Sequence, residues 1–195
     1  MQPLRFPTLM FSLFVSLQSI FLPLSSRASY ETPDYNVVRS EEPFEIRDYP
    51  ALTIVSAPMP HRGSDGAFMK LFRFISGKND RSEEISMTTP VLMSGTESGS
   101  MSFIVPKAVA AKGVPIPSNP ELKISSMSAG RFAVVRFKGS TSPKLSKEMA
   151  AKLSDWVLAQ GILTDGPPVF AYYNPPWTPG FMRRNEVLIR LHSDK

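Results

Sequence analysis

The chain contains no cysteine. Disulfides, thiolate nucleophiles and cysteine-ligated metals are therefore excluded. Histidine is almost absent as well. His61 lies in a Pro-Met-Pro-His-Arg-Gly loop, and His192 lies close to the last residue. A histidine-rich metal centre cannot be built from these two, and a Ser-His-Asp triad would have to recruit one of them. The adjacent acids Glu41-Glu42 and Glu83-Glu84 fall in loop-like segments. Neighbouring side chains on an extended chain point apart, so neither pair makes an acid–base couple. Gly63-Ser64-Asp65-Gly66 precedes a helical pattern but lacks the Lys-Ser/Thr of a phosphate loop. No positioned base or nucleophile is visible, and no enzyme is expected. A stripe of Lys and Arg interleaved with aromatics is also missing, so nucleic acid is not an expected partner.

Nor is there an unbroken apolar run of membrane length. Residues 9–24 are apolar but interrupted by Ser12, Ser16, Gln18 and Ser19. A span needs about 20 apolar residues. Arg5, this stretch, and then Ser26-Arg27-Ala28 match the three regions of a secretory signal. Residues 1–28 are expected to be a cleaved signal, leaving residues 29–195 without a stable membrane span. Export to the periplasm or the exterior follows, the alternatives being an organelle-targeting peptide or an uncleaved N-terminal anchor. Cleavage removes Arg5 and Arg27 and leaves 20 basic against 17 acidic residues. So small an excess suits a small anionic ligand but is no nucleic-acid footprint.

What is present reads as strands and two helices. Phe44–Tyr49 alternates apolar and polar residues and stops at Pro50. Residues 52–57 follow as a second strand, 67–76 as a helix stopped by Gly77, and 85–93 and 101–105 as strands. The second half repeats the order with strands at 122–127 and 131–137, a helix from about 143 to 160, and strands at 169–173 and 186–191. Ser142-Pro143 is an N-cap followed by proline at the first helical position. Both halves thus read β-β-α-β-β, with residues 106–121 as their connector. One curved, barrel-like sheet carrying two packed helices is predicted. Each half alone has too little core, so residues 29–195 are expected to form a single domain, as a monomer.

The helices differ. In the second, Leu145, Met149, Leu153, Trp156 and Val157 make one apolar stripe, the pattern of ordinary packing. In the first, Phe68, Leu71, Phe72 and Ile75 share a face flanked by Met69 and Phe74. Phe72 sits near the centre of that face and is expected to be a stability residue. The apolar arc covers roughly 220° of the helix, more than one sheet can bury. A loop, a partner chain or an apolar ligand must cover the remainder. Lys70 and Arg73 hold the remaining side and could meet carboxylates with their stems on an apolar floor.

Residues 172–190 read YYNPPWTPGFMRRNEVLIR. Tyr172, Tyr173, Trp177 and Phe181 lie with prolines before Arg183 and Arg184, an arrangement suited to a flat apolar ligand bearing carboxylates. Equally, Arg183 or Arg184 could pair with Glu186 or Asp48, a purely structural role.

Five segments in order carry a resemblance. They are Phe44-Glu45-Ile46-Arg47-Asp48-Tyr49, Phe74-Ile75-Ser76-Gly77-Lys78-Asn79, Ile85-Ser86-Met87-Thr88-Thr89-Pro90-Val91, Met101-Ser102-Phe103-Ile104-Val105-Pro106, and Tyr173-Asn174-Pro175-Pro176-Trp177 continued by Arg183-Arg184-Asn185-Glu186-Val187. In this order they resemble the SOUL haem-binding protein family across about residues 34 to 191. The resemblance implies an α+β fold, a distorted β-barrel of two pseudo-twofold halves. It also implies haem or another tetrapyrrole in a shallow apolar groove near the first helix. Phe68, Met69, Lys70, Phe72, Arg73, Trp177, Met182, Arg183 and Arg184 are the residues expected at that groove. Some members are proposed to use an axial histidine where this chain has Asp48, so binding without axial His ligation is expected, for buffering or carriage. A binding or sensor module of the same architecture for a non-haem ligand is the alternative. Residues 85–91 are expected to be a strand bent at Pro90, shaping the fold rather than reacting.

Overall fold

A computed structural model describes residues 30–60, 65–95, 98–140, 142–175 and 177–192. The expected signal, His61 and the phosphate-loop-like glycine turn lie wholly or largely outside these residues. Strands β1 (Asn36–Glu41), β2 (Phe44–Tyr49) and β3 (Leu52–Met59) lead into helix α1 (Asp65–Ile75). Strands β4 (Val91–Ser94) and β5 (Gly99–Ile104) follow, then a short helix α2 (Lys107–Lys112). Strands β6 (Lys123–Met127) and β7 (Gly130–Lys138), helix α3 (Pro143–Ala159), and strands β8 (Thr164–Tyr172) and β9 (Arg184–Leu191) complete the order.

The nine strands form one mixed-length sheet in the order β1-β2-β7-β9-β8-β4-β5-β3-β6. Every pairing is antiparallel. The architecture is α+β, as expected, but the sheet is not closed into a barrel: among the described residues β1 and β6 are its two edges. Leaving β1 aside, the order reads the same in reverse when β2, β3, β4 and β5 are exchanged for β6, β7, β8 and β9. The first strand of each half is given away, β2 to β7 and β6 to β3.

Strand alternation sends side chains to two buried faces. On one face Val55, Ala57, Met59 and Phe103 pack with α1, and Ala133, Val135, Phe170, Val187 and Ile189 pack with α3. Met93 of β4 touches both clusters, so β4 and β8 run between the helices. The opposite face buries Tyr49, Leu52, Leu92, Ile104, Phe132, Val134, Ala171 and Leu188 against one another. Because both faces are covered, Phe132-Ala133-Val134-Val135 is apolar without interruption.

Both helix ends read from sequence are built as expected. The Ser142 hydroxyl accepts from the Leu145 amide at 3.2 Å, and Pro143 opens α3. Gly77 closes α1 at φ +96°. The amide of Gly77 donates to the Phe74 carbonyl at 3.2 Å and that of Lys78 to the Arg73 carbonyl at 2.9 Å, the two bonds of a Schellman motif.

Three expectations are corrected. First, residues 85–90 are not a strand. Ile85 is fixed by its amide to the Ile75 carbonyl, and regular pairing starts only at Val91, after the cis Thr89–Pro90 bond. Thr88 is buried and donates to the Ile104 carbonyl at 2.6 Å, the shape-holding role expected of it. Second, the connector contains α2, and β1 adds an edge strand. Third, Phe72 is not at the packing centre: α1 buries Ala67, Leu71, Phe74 and Ile75 instead.

Candidate functional site

The inward face of α1 is rotated about the helix axis by roughly 65° from the one the apolar arc suggests, at 100° per residue. The helix leans on β3 and β5, so Ala67, Leu71 and Phe74 turn to the core. Phe68, Met69 and Phe72 are left at the surface, Phe72 with 47% of its area exposed. The rings of Phe68 and Phe72 stack with centroids 6.1 Å apart and planes 16° apart. They border a shallow, wholly apolar cleft whose other walls are Leu71, Ile75, Met87, Val91 and Phe103. Val91 pairs with Tyr172, so the cleft runs toward the end of β8.

The two cations of α1 lie on its other flank. Lys70 pairs with Glu121 at 2.8 Å, across from the connector. Arg73 is exposed and borders a separate recess with Lys78, Ser118 and Asn119. Met69 lies between Phe72 and Arg73 around the helix, so Arg73 is the cation next to the apolar face. Lys70 is one residue farther round and already engaged.

The loop after β8 does not contribute to this cleft's lining. Trp177, Phe181 and Met182 are among the most exposed apolar side chains of the described chain. Arg183 donates from Nε to the Thr178 carbonyl at 2.7 Å. Arg184 takes the structural alternative: its Nη2 is 2.8 Å from Glu186, and its guanidinium lies 4.0 Å over the Tyr173 ring.

Glu186 anchors a buried polar cluster that sequence reasoning only partly anticipated. Arg47 and Glu186 are both fully buried and meet in a two-point pair at 2.9 and 3.2 Å. Tyr173 donates its hydroxyl to Glu186 at 2.8 Å, and Arg136 approaches at 3.3 Å. Arg47 also donates to Glu45 and to the Tyr49 hydroxyl, and lies 4.3 Å over the Tyr35 ring. Burial alone would push the Glu186 carboxyl up, but Arg47 and Arg184 outweigh it and hold the group at about 2. Burial would likewise lower Arg47, but the hydrogen bonds and charges of Glu186 and Tyr49 together outweigh it and raise the pKa. Burial pushes Tyr49 up to about 12. The available signal was strand parity: Arg47 alternates with Ile46 and shares its face with Tyr49, and Glu186 shares its face with Leu188. Every acceptor of the carboxylate is used, so the cluster is a satisfied structural unit.

Asp48 is held by Arg131 at 2.8 and 2.9 Å, which lowers its pKa. His192 lies 2.9 Å from Asp165. Among the described residues no group of three His, Asp or Glu side chains could hold a metal ion, and no helix is long and apolar enough to cross a membrane.

A family model described as SOUL heme-binding protein matches residues 30–190. No curated protein sequence matches the chain. Among solved structures, the C-terminal domain of EcmrR is similar with a TM-score of 0.57 at 13% identity, covering 82% of this chain and 99% of that one. A hydrolase from Listeria innocua is similar with a TM-score of 0.54 at 10% identity, covering 80% and 94%. An uncharacterised conserved protein from Listeria innocua gives a TM-score of 0.52 at 10% identity, covering 85% and 94%. At these identities the likeness is one of fold alone.

Proposed function

The chain belongs to the SOUL haem-binding protein family, and on that premise we propose that it binds haem or another tetrapyrrole against the exposed apolar face of α1. One observation carries the reading: a helix anchored by its other side leaves two stacked phenylalanines and a methionine bare beside an apolar cleft. A flat macrocycle would cover Phe68, Met69 and Phe72, gaining about 25 cal/mol for each Å² of apolar surface removed from water. Arg73 supplies the guanidinium for a ring carboxylate, with Lys70 as a secondary charge once drawn from Glu121. The residues present fit a macrocycle held by packing and carboxylate pairing. Among the described residues no histidine lines the cleft, and Met69 and Met87 serve as soft packing surface. Reversible binding of this kind suits buffering or carriage rather than turnover, in an exported protein acting as a monomer.

Titration of the protein with haemin, followed at the Soret band, tests the reading. Saturation at one equivalent is expected, with Phe72→Ser weakening it at least tenfold. Arg73→Glu should weaken binding of a dicarboxylate porphyrin and spare its dimethyl ester. Binding that never saturates, falls with salt and ignores both substitutions would mean that haemin merely adheres to a basic protein, and a non-haem ligand would then be sought.

A further inference from the structure

The loop between β8 and β9 carries apolar side chains that the cleft of α1 does not use. Trp177, Phe181 and Met182 are 83%, 75% and 62% exposed. Single exposed apolar residues need no explanation, but three within six positions form a patch. The patch is built to stay out. The loop backbone is pinned by Gly139 donating to the Gly180 carbonyl at 3.1 Å, Met182 to Pro179 at 2.9 Å, and Arg183 to Thr178. Gly180 lies close against Ser140, where a side chain in place of the glycine would crowd the Ser140 backbone.

Its surroundings are basic. Ser140, on which the tip rests, lies between Lys138 and Lys144, both exposed. Residues 138–147 and 173–185 contain Lys138, Lys144, Lys147, Arg183 and Arg184, and no acid. Two acids border these ranges: Glu186 is buried and spent on Arg47 and Arg184, and the exposed Glu148 pairs with Lys152 at 3.0 Å. A tryptophan, a phenylalanine and a methionine on a stiff projection, flanked by lysines, match the chemistry of an anionic bilayer surface. Aromatic rings settle at the headgroup level, and nearby lysines are drawn to anionic headgroups.

We propose that the Trp177–Met182 loop docks the protein onto anionic lipid bilayers, with Trp177, Phe181 and Met182 entering the interface and Lys138 and Lys144 meeting the headgroups. This holds whether or not α1 binds a tetrapyrrole.

Sedimentation with vesicles would not separate this loop from the apolar residues 9–24, so a reporter in the loop decides. Trp156→Phe leaves Trp177 as the only tryptophan. Without haem, its emission should shift to the blue on mixing with vesicles of phosphatidylcholine and phosphatidylglycerol, and brominated lipid should quench it. Phosphatidylcholine alone should do much less, and salt should reverse the shift. Lys138→Glu with Lys144→Glu should weaken the response by roughly tenfold or more. A second reporter guards against misfolding: the cooperative thermal melt should be unchanged, since both lysines are exposed. Trp177 emission unmoved by anionic vesicles overturns the proposal, even if the protein sediments. So does a response equal for neutral and anionic vesicles and indifferent to the lysine reversal.

Discussion

At the scale of single residues, the Arg47–Glu186 pair is the most consequential interaction in the described chain. Both groups are removed from water, so each depends on the other for compensation. Removing one leaves a buried charge without its main partner, at a cost of about 3 to 5 kcal/mol. Replacing both with apolar residues of similar size removes the desolvation cost as well. Arg47→Met alone should therefore destabilise by that amount, and Arg47→Met with Glu186→Leu should recover a large part of the loss. Chemical denaturation of the two single variants and the double variant gives the coupling directly. Equal losses in the single and double variants would mean that Arg136, Arg184 and Tyr173 suffice for Glu186.

At the scale of elements, α1 presents two apolar sides with different duties. Phe74 is buried to about one per cent exposure and Phe72 is nearly half exposed. Phe74→Ala should cost about 3 to 5 kcal/mol. Phe72→Ala should cost under about 1 kcal/mol, as surface changes do, and its effect should fall on ligand binding. Thermal melts of the two variants check the contrast. Losses of similar size would put Phe72 back in the core.

The width of the apolar arc on α1 was legible, since it needs only helical geometry. Which part faced inward was not, because the sheet touches the helix from one side and sequence does not say which. The α3 stripe was legible because its apolar and charged faces separate cleanly. Strand β1 (NVVRSE) is exposed along its length and carries no burial pattern to read. Helix α2 buries no residue outright and spans six positions, too few for periodicity. Residues 85–90 look strand-like in composition, yet Thr88 bonds to Ile104 and Ile85 to Ile75, contacts that only the assembled fold supplies. The two-point pairing of Arg47 with Glu186 joins residues far apart in sequence, and nothing local announces it.

At the scale of the whole molecule, the buried cluster makes stability depend on acidity. The Glu186 carboxyl lies at about 2 in the fold, against an ordinary 4.5. A lowered value means that the unfolded chain takes up a proton first. The contribution is complete above about 4.5 and is lost as pH falls from there toward 2. Stability measured across that window should fall steeply in the native protein and less steeply in Arg47→Met with Glu186→Leu. Parallel slopes would show that other carboxylates, Asp48 with Arg131 among them, set the acid limb. On the alkaline side Tyr49 works in the opposite sense. Its neutral form is favoured by burial, so its share persists below about 10 and is lost as pH rises through about 12.

The exchange of first strands between the halves bears on how the chain reaches its fold. Phe44 pairs with Val135 and Val91 with Tyr172, so neighbours in the sheet come from distant parts of the sequence. Contacts of long separation must wait for large loops to close, and they slow folding. During synthesis β3, β4, β5 and α1 can meet early, but β2 waits for Gly130–Lys138, and β4 keeps an open flank until β8 arrives. The emerging polypeptide thus carries unsatisfied strand edges through most of its elongation, an interval in which a holding chaperone would have something to grip.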